Sequence, residues 1–333
     1  KEVEAVRGSV GASEVANFAN HKFTGKGAKA FLNRVLAGRI PGPGRVNLTP
    51  MLLQSGKLNG DLTVACIDEE TFYLFGSSVA QNMHLRWFEM HLEGVQDVVY
   101  QNMTDDFHGI AISGPNSREL LSRLTREDVS SETFKFRDIR DTFIGGVPAL
   151  CTRISFTGEL GYEIYVAPQY QLKLFEAIEE LGVDLNLKWF GGRALMSMRL
   201  EKSWGAWTMD FRPDFTIMES GLDFFVDWDK DFIGKKAALI EKNNGPSKKL
   251  SVIQIDTETD VSGDEAVMHN GECVSYITSG GYGHSVKKSL AMTYLPVELI
   301  DSNVRLEVEI LGKFYKASIV MEPLYDPSGS KMR

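Results

Sequence analysis

The sequence predicts an α+β protein: a long region of mixed strands and helices to about residue 242, then a small antiparallel β domain from residue 250. Three observations predict it. Runs rich in β-branched and aromatic residues alternate with helical periodicity as far as residue 240. A polar stretch carrying Gly and Pro, "NNGPSKK" (243–249), breaks that alternation and reads as a linker. After it come short strand-like runs, "LSVIQID", "ECVSYIT", "SLAMTYL", "RLEVEIL" and "FYKASIV", the pattern of a small barrel or sandwich.

Along the chain, the opening "EVEAVRGSV" reads like the middle of a helix, from which an upstream portion is expected. "TFYLFGS" (71–77) predicts a strand, and "VAQNMHLRWFEMHLE" after it repeats apolar residues at helical spacing. "HGIAISG" (108–114) is a second strand. In "PNSRELLSRLT" the early Pro115 and a cap at Asn116 or Ser117 start a helix. Strands are predicted over 149–156 ("ALCTRISF") and 158–168 ("GELGYEIYVAP"), then an amphipathic helix over 169–182 closed by Gly182.

The 333 residues are 43% hydrophobic and 24% charged, enough for a substantial core. A net charge of -9 is scattered without basic runs, which argues against a nucleic-acid partner. No apolar run approaches the roughly 20 residues that cross a bilayer, and the first residues lack a signal-peptide core. The expected compartment is therefore the cytoplasm, or the mitochondrial matrix in a eukaryote, with no membrane partner. Cys66, Cys151 and Cys273 are too scattered for a disulfide framework, and no histidine pair has metal-ligand spacing, so no metal is expected. Each histidine reads as a surface or structural residue.

"GKGAKA" (25–30) has the glycines of a dinucleotide-binding turn but neither the preceding strand nor the later acid. "SGGYGHS" (279–285) leads into a strand, not a helix, and reads as a hairpin turn. No G-x-S-x-G elbow is present.

Three polar patterns in apolar or glycine-rich settings remain. Asp61 follows Gly60 and precedes "LTVACI"; it is either a turn residue or a functional acid at a strand mouth. Glu163 lies within strongly β sequence, on the face of Gly161 and Tyr165, and points either to solvent or into a pocket. Arg193 stands at a helix start beside two glycines that permit close approach, where it can grip a carboxylate or form a structural salt bridge. A strand-borne carboxylate and a guanidinium fork together suit a flat polar heterocycle with an acidic tail, since a carboxylate accepts parallel bonds from an aminopyrimidine edge.

Over essentially its whole length the chain resembles the folate-binding aminomethyltransferase family, which includes the glycine-cleavage T-protein. "GRVNLTPMLLQSGKLNGDLTV", "GIAISGPNSRELL", "RISFTGELGYEIYV", "GRALMSMRLEKSWGAW" and "DFTIMESGLDFFV" occur in the family's order. "FTGELGYEIY", "RALMSMRLEK" and the ending "IVMEPLYDPSGSKMR" are nearest the dimethylglycine dehydrogenase and sarcosine dehydrogenase branch. The resemblance implies a three-domain cloverleaf around a central folate site, the last domain a small β-barrel. It implies that Asp61 is the catalytic aspartate, Glu163 the acid gripping the pterin, and Arg193 the folate-site arginine. Phe156 and Leu48 fall where relatives often have aromatic residues, and Trp204 near another ring-contacting aromatic.

The implied activity is transfer of a one-carbon unit, released from an N-methyl amine, to tetrahydrofolate. A flavin (FAD) would belong to a fused or associated upstream domain. The rivals are a stand-alone folate-dependent demethylase and a non-catalytic folate-binding protein. Against the latter, the "KGCYxGQ"-type segment of the iron–sulfur-assembly branch is replaced here by "SFTGELGYE".

Overall fold

The computed structural model describes residues 1–15, 18–301 and 303–333. The chain opens with α1 (Glu2–Gly8), β1 (Gly11–Glu14), β2 (Phe18–Thr24), α2 (Ala28–Val35), β3 (Arg45–Leu52), β4 (Leu58–Asp68), β5 (Thr71–Ser77), α3 (Gln81–Leu92) and β6 (Val99–Asn102). It continues through β7 (His108–Ser113), α4 (Ser117–Leu124), β8 (Ile139–Ile144), β9 (Val147–Thr152), β10 (Gly161–Val166), α5 (Gln171–Gly182), β11 (Lys188–Trp189) and α6 (Gly192–Glu201). Then α7 (Lys235–Asn244) leads to β12 (Lys248–Ile255), β13 (Ala266–His269), β14 (Glu272–Gly283), β15 (Lys288–Pro296), β16 (Leu306–Ile310) and β17 (Lys313–Val320).

These strands form two open sheets and a barrel. One sheet has the order β3-β4-β5-β2-β6 and the other β11-β1-β7-β10-β9-β8. β1 and β2 follow one another in sequence yet belong to different sheets, so the two halves of the first region interleave. Each sheet covers one face with helices. α2 buries Ala28, Phe31, Leu32 and Val35, and α4 buries Ser117, Leu120, Leu121 and Leu124, the spacing of a single helix face. Each large apolar side chain so buried contributes roughly 1.5–3 kcal/mol of transfer free energy. The other faces of the two sheets meet in an apolar layer of Val15, Val46, Ala65, Tyr73, Phe75, Ala111, Ile139, Leu150 and Tyr165.

The third unit is a closed barrel, β12-β15-β14-β13-β16-β17, with Ile253, Val267, Ile277, Ala291, Leu295 and Val308 inside. Barrel or sandwich was open from sequence; closure decides for the barrel. Among the described residues no helix is long and apolar enough to cross a membrane.

Several boundaries differ from the sequence expectation. The first predicted strand of the 149–168 pair ends at Thr152; beyond it the Arg153 N–H donates to the Asp138 carbonyl, its own carbonyl accepts from the Arg137 N–H, and its buried guanidinium donates to the Phe134 carbonyl. Gly182 ends α5 as expected, but not as a left-handed cap: its φ is -93°, a short turn over Val183–Leu185 follows, and the left-handed residue is Asn186 at φ 54°. "SGGYG" is not a turn but the end of β14. Its glycines admit α6, since a Cβ on Gly283 would sit 3.2 Å from Glu201 Cγ and one on Gly281 3.5 Å from Leu200 Cδ1. The turn itself is at 284–287, with Lys287 at φ 57°.

Candidate active site

Alternation along β4 aims its acid. Leu62, Val64 and Cys66 pack on the side of α2 and α3, so Asp61, Thr63 and Ala65 face the opposite way, toward the layer between the sheets. Asp61 is thus the fourth residue of an 11-residue strand and not the turn residue that its Asn-Gly prefix allows. Leu48 on β3 pairs with Thr63 and is half-buried on that same face, flanking Asp61.

Glu163 enters the layer from the other sheet. It lies opposite Ala111 on β7 and two residues before Tyr165, and it is only 8% exposed, so of the two orientations left open by sequence it takes the inward one. Neighbouring residues lead from one acid toward the other. Thr63, two residues from Asp61, pairs with Phe75. Phe75 stacks on Tyr165 with ring centroids 4.5 Å apart, and the Tyr165 hydroxyl donates to Glu163 Oε2 at 2.6 Å.

Burial sets the protonation of both groups. It pushes the Asp61 carboxyl up to about 7, against the pull of its own backbone N–H. It likewise raises Glu163 to about 7, against the Tyr165 hydrogen bond. Carboxyls poised near neutrality can both hold and release a proton at working pH. Across from Glu163 on β9, the buried Thr152 hydroxyl has no partner among the described residues, which leaves it available to a polar ligand edge.

Phe156 and Trp204 stack on one another, centroids 5.8 Å apart, in loops beyond the Gly161 end of β10. Arg199 holds the Trp204 loop: its guanidinium donates to the Trp204 carbonyl at 2.8 Å and to Asp210 at 2.7 Å, both residues of the ion pair being fully buried. Arg193 is placed elsewhere. It is exposed on the first turn of α6, in a surface depression of about 300 Å³ with Glu2, Glu4, His284 and Lys287, which no residue of the inter-sheet layer lines. The structure therefore brings together Asp61, Glu163 and Leu48, sets Phe156 and Trp204 side by side, and leaves Arg193 apart. Sequence reasoning missed Phe75, Thr152 and Arg199. Only pairing across strands reveals the first two, while Arg199 could have been flagged as a charge on the buried face of α6.

The family model described as "GCVT N-terminal domain" matches residues 1–230, and "Glycine cleavage T-protein C-terminal barrel domain" matches 248–326. The dimethylglycine dehydrogenase of Mus musculus is 36% identical over 97% of this chain, and that of Homo sapiens 35%, but the chain spans only 38% of their length. An aminomethyltransferase of Thermoanaerobacter sp. (strain X514) is 30% identical over 99% of this chain and 90% of its own length. The crystal structure of glycine cleavage system aminomethyltransferase T from Bartonella henselae shares the fold, with a TM-score of 0.89 at 22% identity over 98% of this chain and 89% of that one. Matched in both its interleaved sheets and its barrel, the chain belongs to the aminomethyltransferase (glycine cleavage T-protein) family.

Proposed function

We propose that the chain captures a one-carbon unit on tetrahydrofolate, the carbon coming from oxidative demethylation of an N-methyl amine of the dimethylglycine or sarcosine type. One observation carries the reading: two carboxyls from different sheets, Glu163 buried and Asp61 half-buried, both poised near neutrality, face the layer of apolar and aromatic side chains between the sheets. The similarity to dimethylglycine dehydrogenases supports the donor class. Amine oxidation would fall to a flavin domain outside this segment.

The residues fit tetrahydrofolate. Glu163, its second oxygen fixed by Tyr165, can accept the paired N–H donors of an aminopyrimidine edge, and the unpartnered Thr152 hydroxyl offers a further polar contact. Phe156 and Trp204 present stacked faces for the flat parts of the ligand, and Leu48 an apolar wall. Bound there, tetrahydrofolate would supply two nucleophilic N–H nitrogens to accept the iminium carbon, the amine leaving as R2NH2+ with the two protons those nitrogens give up. Asp61 stabilises the positive charge that develops there and moves the proton, in a setting from which apolar neighbours exclude water.

The test is Asp61→Asn. Tetrahydrofolate binding should stay within about threefold of wild type, while the rate of methylene-tetrahydrofolate formation from a formaldehyde and sarcosine mixture, above the uncatalysed background, falls roughly 100-fold. Unchanged turnover would remove Asp61 from the mechanism.

A further inference from the structure

A buried histidine lies behind the Asp61 strand, on the sheet face opposite the acid. The β3–β4 register slips just ahead of Asp61: Met51 faces Gly60, but Leu52 faces Leu58, so Asn59 is the extra residue of a β-bulge. A bulge takes a backbone carbonyl out of the ladder, and a buried carbonyl needs a donor. His84 of α3 supplies it, its Nε2 lying 2.9 Å from the Asn59 oxygen. Because a carbonyl only accepts, the imidazole carries its proton on Nε2.

Glycine makes room for this contact. A Cβ on Gly60 would lie 2.8 Å from His84 Nε2, and one on Gly76 of the neighbouring β5 would lie 3.5 Å from Nδ1. The ring is 1% exposed, with Phe88, Trp207 and the second buried imidazole, His21, around it at centroid distances of 6.1–6.4 Å. Burial draws His84 down to about 4 and His21 to about 3, so both stay neutral near pH 7. Turned away from the layer, with its one N–H committed to the Asn59 carbonyl, His84 is not placed to exchange a proton with a reactant.

We infer that His84 is a positioning residue: by taking the carbonyl that the Asn59 bulge frees, it fixes the strand geometry that aims Asp61 into the inter-sheet layer. This rests on the reading of Asp61 as the catalytic acid. The bulge and histidine act as a unit, the bulge re-aiming the strand and the imidazole holding it. An acid displaced by even about 1 Å from its productive position can lose on the order of 100-fold in rate.

The experiment is a mutant cycle on the purified chain, read as kcat for methylene-tetrahydrofolate formation and as the Kd of tetrahydrofolate. His84→Leu should lower kcat roughly ten- to hundredfold with Kd within about threefold. His84→Gln, whose amide can donate to the same carbonyl, should recover most of the rate. On an Asp61→Asn background, His84→Leu should cost nothing further, since it acts through the missing acid.

Full kcat in His84→Leu beside an inactive Asp61→Asn overturns the inference while leaving the function intact. So does a loss that persists on the Asp61→Asn background, or a Gln variant as slow as Leu. A fully active Asp61→Asn sinks both readings together. Should His84→Leu fail to fold by circular dichroism, Gly60→Ala tests the same contact by crowding the ring, with the same loss expected and full kcat overturning it.

Discussion

At the scale of single residues, the two acids cost the fold stability near neutral pH. Glu163 titrates near 7 in the folded chain because burial disfavours its charge, whereas in the unfolded chain it ionises at its ordinary value of 4.5. Between pH 4.5 and 7 the unfolded state therefore sheds a proton that the folded state keeps, and stability falls as pH rises through that window. Asp61 acts in the same sense from its ordinary 3.8 to about 7. His84 and His21 act oppositely, costing stability as pH drops below 6.5, where only the unfolded chain takes up their protons. Glu163→Gln, which keeps an acceptor for Tyr165, should raise Tm at pH 7.5 and leave it nearly unchanged at pH 4. Equal gains at both pH values would refute burial of charge as the cause. That Glu163 shares a face with Tyr165 was legible in period-2 alternation; that this face is the buried one was not, because it depends on the second sheet.

At the scale of elements, α6 turns its two arginines in different directions. Arg193 and Arg199 are six residues apart, which places them about 240° apart around a helix, so only one can face the barrel. Arg199 does, bonded to Asp210, Ser279 and the Trp204 carbonyl, while Arg193 points out beside α1. Two glycines at the helix start allow close approach to either neighbour and could not say which arginine turns inward. The buried pair makes a measurable claim. Asp210→Ala leaves the Arg199 charge without its carboxylate and should lower unfolding free energy by about 3–5 kcal/mol in chemical denaturation. An apolar replacement of both partners, Arg199→Met with Asp210→Leu, should lose far less; a loss equal to that of the single variant would show that the charge pair is not what Asp210 secures.

At the scale of the whole molecule, the chain end ties the barrel back to the first region. The Tyr325 ring lies 3.7 Å from the Arg7 guanidinium, and its hydroxyl donates to Glu159. Arg7 in turn bridges Glu159 at 3.1 Å and Glu201 at 2.8 Å, and Lys202 reaches Asp326 at 3.3 Å. Four segments, α1, the loop at Glu159, the end of α6 and residues 325–326, are joined through this cluster. Deleting residues 325–333 should speed amide exchange in α1 and in residues 157–159 by roughly tenfold while the β12 and β15 amides stay protected. Unchanged exchange in α1 would show that the tail does not hold it.

The sequence by itself determined what is local: the kinds and order of most elements, the polar break before the barrel, and the presence of acids within strands that should be apolar. Alternation and helical spacing are properties of neighbouring residues, so they can be read without knowing what lies across from them. Only the tertiary structure decided that Asp61 and Glu163 face one layer, that Asn59 is a bulge with His84 behind it, and that Arg199 rather than Arg193 turns inward. Each of those depends on register or packing between segments far apart in the chain, where pairing between strands and contact between sheets outweigh local preference.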